Sequence, residues 1–126
     1  MESKRKHRKQ MSPEEIELIE SIVHSQIHWT GLGPHSTRMV QERQVPSKEL
    51  FDVLKSGKVV EVNHTCDLCV VFRKDYDDHA SCVVVNLPTR WIVTTWRNNT
   101  NDQHRSLDMS QYTWKVDLLE KFKGFA

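Results

Sequence analysis

No stretch of this 126-residue chain is apolar for long enough to serve as a signal peptide or a membrane span; a span alone needs about 20 such residues. The chain is therefore expected to act in the cytoplasm, with no membrane partner. Also missing are a nucleophile elbow, a phosphate-binding glycine loop and every other signature that names a reaction on its own. There is no internal repeat. Neither sign of charge dominates, since 18 Lys and Arg face 17 Asp and Glu, for a net charge of +1. The length fits one domain, with enough apolar content for a single core and little to spare.

What charge there is lies unevenly. Lys4, Arg5, Lys6, Arg8 and Lys9 crowd the first ten residues, with His7 among them. Like charges so close together repel, and such a run is expected to stay solvated as a disordered arm over residues 1–11, able in some proteins to bind nucleic acid. Residues 12–126 then form the domain.

The first regular element is announced by Ser12-Pro13-Glu14-Glu15. Serine at the N-cap, proline at the first helical position and glutamate three residues after the cap satisfy or remove orphan amide donors. Ile16, Ile19, Ile22, Val23 and Ile27 recur at helical spacing, which predicts a helix over Pro13–Ile27 with that stripe on the core. Gly31, Gly33 and Pro34 end it. A charged segment from His35 to Val45 follows, then a break at Pro46, then a helix over Lys48–Ser56 stopped by Gly57. Four β-branched runs come next, at Val59–Val62, Leu68–Arg73, Ser81–Leu87 and Trp91–Trp96, separated by Asp, Asn or Pro as in an antiparallel meander. A last amphipathic helix is predicted over Asp108–Lys123, with Trp114, Leu118, Leu119 and Phe122 on one face. The expected fold is α+β: N-terminal helices packed on a four-stranded antiparallel sheet, with a C-terminal helix.

The charged segment is the most informative. In helical projection Arg43 falls among Ser36, Met39 and Val40, while His35, Arg38 and Glu42 lie on the flank. An inward guanidinium needs a partner or a cleft, because burying an unpaired charge costs several kcal/mol or more. The blocks His35-x-x-Arg38-Met39-x-x-Glu42-Arg43-x-Val45, Leu54-x-x-Gly57-Lys58-Val59-Val60-Glu61, Cys82-Val83-Val84-Val85 and Ile92-Val93-Thr94-Thr95-Trp96 resemble the small bacterial and phage proteins grouped as domain of unknown function 4258. Those look related to ribonuclease toxins of the barnase, colicin and RelE type. The resemblance covers residues 35–97 and leaves 98–126 as an extension. The chain departs from the pattern at Gln44, where a glycine is usual, and at Cys82, where a histidine usually heads the block.

That resemblance implies a small toxin-like or phage-encoded endoribonuclease working without metal or cofactor. RNA cleavage needs a base for the 2′-hydroxyl proton, an acid for the leaving oxygen, and cations for charge developing on the phosphate. His35 is the candidate for the first, Arg38 and Arg43 for the last. The second proton-transfer group is expected near the end of the fourth strand or beyond it, where Thr94, Arg97 and His104 stand, and Arg97 and His104 join the basic arm as candidate RNA contacts. The alternative is a non-catalytic binding module, directed at a host protein, an antitoxin or a nucleic acid, with Trp91, Trp96, Trp114 and the last helix supplying interface. The departure at Cys82 speaks for this alternative and the retained helix motif for the first reading.

Cys66-x-x-Cys69 followed by His79-x-x-Cys82 has the composition of a zinc site. If the second and third strands form a hairpin turning near Asp77, however, Cys82 lies opposite about Phe72, and Cys69 is roughly 10 Å away along the strand. The cysteines are accordingly expected to be small buried residues in a reducing compartment, with no metal.

Overall fold

A computed structural model of the chain describes residues 4–26, 29, 47–64, 68–98 and 109–125. Over these it is α+β, with a five-stranded antiparallel sheet and three α-helices. The strands are β1 (Arg5–His7), β2 (Lys58–Asn63), β3 (Cys69–Asp75), β4 (Ala80–Asn86) and β5 (Trp91–Asn98), paired in chain order. The helices are α1 (Pro13–Ser25), α2 (Ser47–Ser56) and α3 (Leu118–Phe122). No helix among the described residues is long and apolar enough to cross a membrane.

The start of α1 is the capping box that its sequence predicts. The Ser12 hydroxyl accepts from the Glu15 amide at 3.1 Å, and the Glu15 carboxylate accepts from the Ser12 amide at 2.8 Å. Ile19, Ile22 and Val23 of α1 and Leu50, Val53 and Leu54 of α2 pack on one face of the sheet. There they meet Val59 and Val62 of β2, Val70 and Phe72 of β3, Val83 and Val85 of β4, and Ile92 of β5. β-branched side chains alternating along each strand build this layer. Gly57 joins α2 to β2 at very close range: a Cβ there would stand 2.4 Å from the Val53 carbonyl oxygen and 3.0 Å from that of Arg73.

Two expectations are corrected. Residues 5–7, expected within a disordered arm, form the fifth strand, with Arg5 opposite Asn63, Lys6 opposite Val62 and His7 opposite Glu61. The repulsion expected of the basic run is offset residue by residue. Arg5 meets Glu61 at 2.9 Å, Lys6 meets Glu15 at 3.0 Å, and Arg8 meets Glu20 at 2.7 Å. Arg8 and Glu20 also bond the carbonyl and amide of Val59, which β1 is too short to reach.

The C-terminal segment also differs from its expected form. The helix predicted over Asp108–Lys123 is confined to Leu118–Phe122, preceded by a 3₁₀ turn at Met109–Gln111 and an extended stretch. Extended backbone wins because it finds partners on the N-terminal segment. The Trp114 amide bonds the Arg5 carbonyl at 3.1 Å, Lys6 Nζ donates to the Val116 carbonyl at 2.8 Å, and Gln10 Nε2 donates to the Tyr112 carbonyl at 3.0 Å. Asp117 then caps α3, whose Leu118 and Phe122 are fully buried.

Candidate functional site

The segment carrying His35, Arg38 and Arg43 lies outside the described residues, as do His104 and Cys66. Of the remaining candidate nucleic-acid contacts, Lys4 and Lys9 are exposed. Arg5, Lys6 and Arg8 are engaged inside the domain as described, and Arg97 belongs to a separate cluster.

That cluster forms where α2 crosses the turn end of the β3–β4 hairpin. Pairing sets Lys74, Ser81 and Arg97 side by side across β3, β4 and β5, on the face that also carries Phe72 and Val83. Above this row α2 presents Glu49, Asp52 and Ser56, at spacings that bring them to one flank of the helix. The turn is closed by the Tyr76 amide on the His79 carbonyl at 2.7 Å, which brings His79 to the start of β4.

Glu49 is the hub. Arg97 grips its carboxylate with two bonds, from Nε at 2.9 Å and Nη2 at 3.1 Å. The Ser81 hydroxyl donates to Oε2, and His79 Nε2 stands 3.0 Å from Oε1. On the other side of the imidazole, Nδ1 lies 2.6 Å from a carboxylate oxygen of Asp78. Tyr76 stacks on the ring, with centroids 5.0 Å apart, while its hydroxyl donates to Asp52. Asp52 also receives Lys74 Nζ at 2.8 Å.

These contacts fix the charge states. Burial pushes the Glu49 carboxyl up, but the bonds from Arg97, Ser81 and His79 outweigh it and hold the group below its ordinary value. Burial pulls His79 down, while its bonds to Asp78 and Glu49 more than restore it, for a net rise. A carboxylate at each ring nitrogen favours the protonated ring, in which both nitrogens donate. The tyrosine hydroxyl of Tyr76 is pushed well up by burial and by Asp52.

The result is a histidine oriented by a carboxylate that is itself locked by an arginine and a serine. Of Thr94, Arg97 and His104, the structure places Arg97 in this constellation. Thr94 pairs with Val84 on β4, whose neighbours Val83 and Val85 turn toward the helices, so it lies on the opposite face. In the sequence His79 stands out only as part of a zinc-like set in which no metal is expected, and Glu49 only as one residue of a helix. The polar run Tyr76-Asp77-Asp78-His79 between two β-branched runs was the local signal for a histidine beside carboxylates; nothing in the sequence brings Glu49, 30 positions away, into contact.

A second network lies on the face of the sheet away from the helices. Glu61 there accepts two bonds from Arg5, one from Asn63 and one from Tyr112. Burial raises the Glu61 carboxyl, and the bonds from Arg5 and Asn63 overcome it, leaving it lowered. Tyr112 is pushed up to about 12 by burial and by Glu61. Its groups join β1, β2 and the C-terminal segment.

Of the zinc-like set, Cys66 lies outside the described residues, and Cys69 and Cys82 stand apart along the hairpin. Cys69 sits opposite Asn86 and Cys82 opposite Arg73, one residue nearer the turn than expected, so roughly 13 Å of strand separates the two at about 3.4 Å per residue. Both side chains are buried. Among the described residues no group of three or more His, Cys, Asp or Glu side chains is arranged to hold a metal ion. Of the three tryptophans considered for an interface, Trp91 is exposed, Trp96 is half-buried, and Trp114 packs against the core. No family model, curated protein or solved structure matches the chain.

Proposed function

We propose that this is a toxin-like or phage-encoded protein that cleaves RNA without metal, with His79 as a proton-transfer group. The observation that carries the reading is the Glu49–His79 pair beside Arg97: an imidazole held by a locked carboxylate, next to a guanidinium 36% exposed. A titratable side chain held by an orienting partner is one of the features by which proton-transfer sites are recognised.

In the proposed step the ribose 2′ oxygen forms a bond to phosphorus as the bond from phosphorus to the 5′ oxygen breaks. The 2′-hydroxyl proton passes to a base, the role assigned to His35. His79 gives its proton to the departing 5′ oxygen and is reprotonated from water. Arg97, with Arg38 and Arg43, offsets the charge on the phosphate. Glu49 is too close to His79 to act as base on the opposite side of the phosphorus, so its role is to position the ring. The test is cleavage of a mixed-sequence RNA by the wild type and by His79→Gln. Loss of a proton-transfer group typically lowers rate by about 100- to 10,000-fold. Equal cleavage by the two proteins, or none by folded wild type, removes the reading.

A second reading is favoured by a different observation: Arg5, Lys6, Arg8 and Arg97 are each neutralised by an internal carboxylate. A non-catalytic module needs no phosphate site, and a host protein or antitoxin could use the exposed Trp91 instead. Binding without cleavage, lost in Trp91→Ala while stability is kept, would establish it.

A further inference from the structure

Both nitrogens of His79 are occupied by the protein's own carboxylates, and the two are held very differently. Glu49 is 13% exposed and fixed by Arg97 and Ser81 as well as by the ring. Asp78 is 87% exposed and reaches Nδ1 from the adjacent position in the turn. For any ligand to reach the imidazolium, one carboxylate must leave. Displacing Glu49 breaks bonds from three side chains; displacing Asp78 breaks its bond to the ring and returns a surface carboxylate to water, where it is well solvated.

The ring can be approached only in part. Tyr76 covers one of its faces, with the planes 21° from parallel, and Glu49 blocks Nε2. The open approach is therefore the one Asp78 fills, along Nδ1. What Asp78 supplies there is an anionic oxygen accepting a bond from N–H, which is also what a phosphate would supply.

We propose that Asp78 is an internal competitor for a phosphate-binding position at His79 Nδ1, so that the free protein is self-capped and a phosphate ester engages by displacing its side chain. This rests on the reading of His79 as the residue that meets the RNA phosphate, and it adds the entry position and the group that regulates entry. Glu49 is the positioning residue and Asp78 the gate.

The experiment uses the full chain and inorganic phosphate as probe, with the His79 ring followed by nitrogen-edited NMR during titration of the wild type and of Asp78→Asn. Asparagine keeps the shape and removes the charge, so it should weaken the internal contact without opening the turn. Phosphate should shift the His79 ring signals in both proteins, with the dissociation constant about threefold lower in Asp78→Asn, since one exposed charge contact is being removed from the competition. On RNA the same variant should show a lowered KM. Equal phosphate affinity in the two proteins overturns the proposal, as does a phosphate response that bypasses the His79 ring. The two readings fail separately. If phosphate displaces Asp78 but folded wild type cleaves no RNA, the gate stands as an anion site and the catalytic reading falls. If RNA is cleaved with His79 required but Asp78→Asn matches wild type in phosphate binding and KM, the gate falls alone.

Discussion

Glu61 can be buried in β2 because four hydrogen bonds converge on its carboxylate. Arg5 supplies two of them and the only positive charge among these donors, so Arg5→Ala leaves a carboxylate largely out of water and uncompensated. That change should destabilise the fold by about 3 kcal/mol, against about 1 kcal/mol for Tyr112→Phe, which removes a single neutral donor. Urea unfolding of the two variants reads the difference, and equal losses would mean that the charge is not what matters. His79 and Glu61 also set opposite limbs of the pH profile. His79 is raised in the fold, so its contribution is fully present below the ordinary histidine value of 6.5 and is lost as pH rises through its folded value. Glu61 is lowered, so its contribution is present above the ordinary 4.5 and is lost as pH falls through its folded value. Stability measured at pH 6 and pH 9 should therefore fall more in wild type than in His79→Asn, whereas the loss below pH 4.5 should be shallower in Glu61→Gln. An alkaline limb identical in wild type and His79→Asn would mean that the imidazolium contributes nothing.

At the scale of elements, the helix α2 and strand β2 are joined where no side chain fits. A methyl group at Gly57 would sit 2.4 Å from the Val53 oxygen and 3.0 Å from the Arg73 oxygen; both obstacles are backbone and neither can swing away. Gly57→Ala should cost about 1–3 kcal/mol, as overpacking does in a tight interior, and a lowered thermal midpoint checks it; Ser12→Ala, which removes a cap from α1, should cost about 1 kcal/mol. Both positions are visible in the sequence, one as a stop signal and the other as a capping box, because Gly57 ends α2 against Val53 and Ser12 caps α1 through Glu15, each contact within four residues. The four β-branched strands are visible for the same local reason. β1 is not, since Arg5-Lys6-His7 is a strand only because Glu61 and Glu15 stand on its two sides. Nor is the extended run before α3 visible, because its apolar residues keep helical spacing while its backbone is claimed by β1. The candidate site divides in the same way. Arg97 can be anticipated from its place at the end of a strand, whereas Glu49 and His79 meet only through the packing of α2 on the hairpin.

For the molecule as a whole, the two ends of the chain hold each other. β1 accepts the Trp114 amide and donates side-chain bonds to Tyr112 and Val116, Glu15 accepts the Leu118 amide at 2.9 Å, and α3 lies against α1 with Leu118 and Phe122 buried in the common core. A C-terminal segment built this way shares the core of the sheet and α1. Burying each of those two side chains contributes about 1.5–3 kcal/mol, and Tyr112 and Trp114 add to that, within a total stability of about 5–15 kcal/mol for a domain. Deleting residues 109–126 should therefore remove most of the stability and strip β1 of its outer partner, giving a chain without a cooperative unfolding transition by circular dichroism. A partner-binding role for the same segment needs a gentler probe. Leu119 is 39% exposed on α3, and Leu119→Ser should change stability by no more than about 0.5 kcal/mol, as surface substitutions usually do. If the deleted chain instead unfolds at the wild-type midpoint, the segment is an appendage, and the burial of Leu118 and Phe122 contributes nothing to holding the sheet and α1 together.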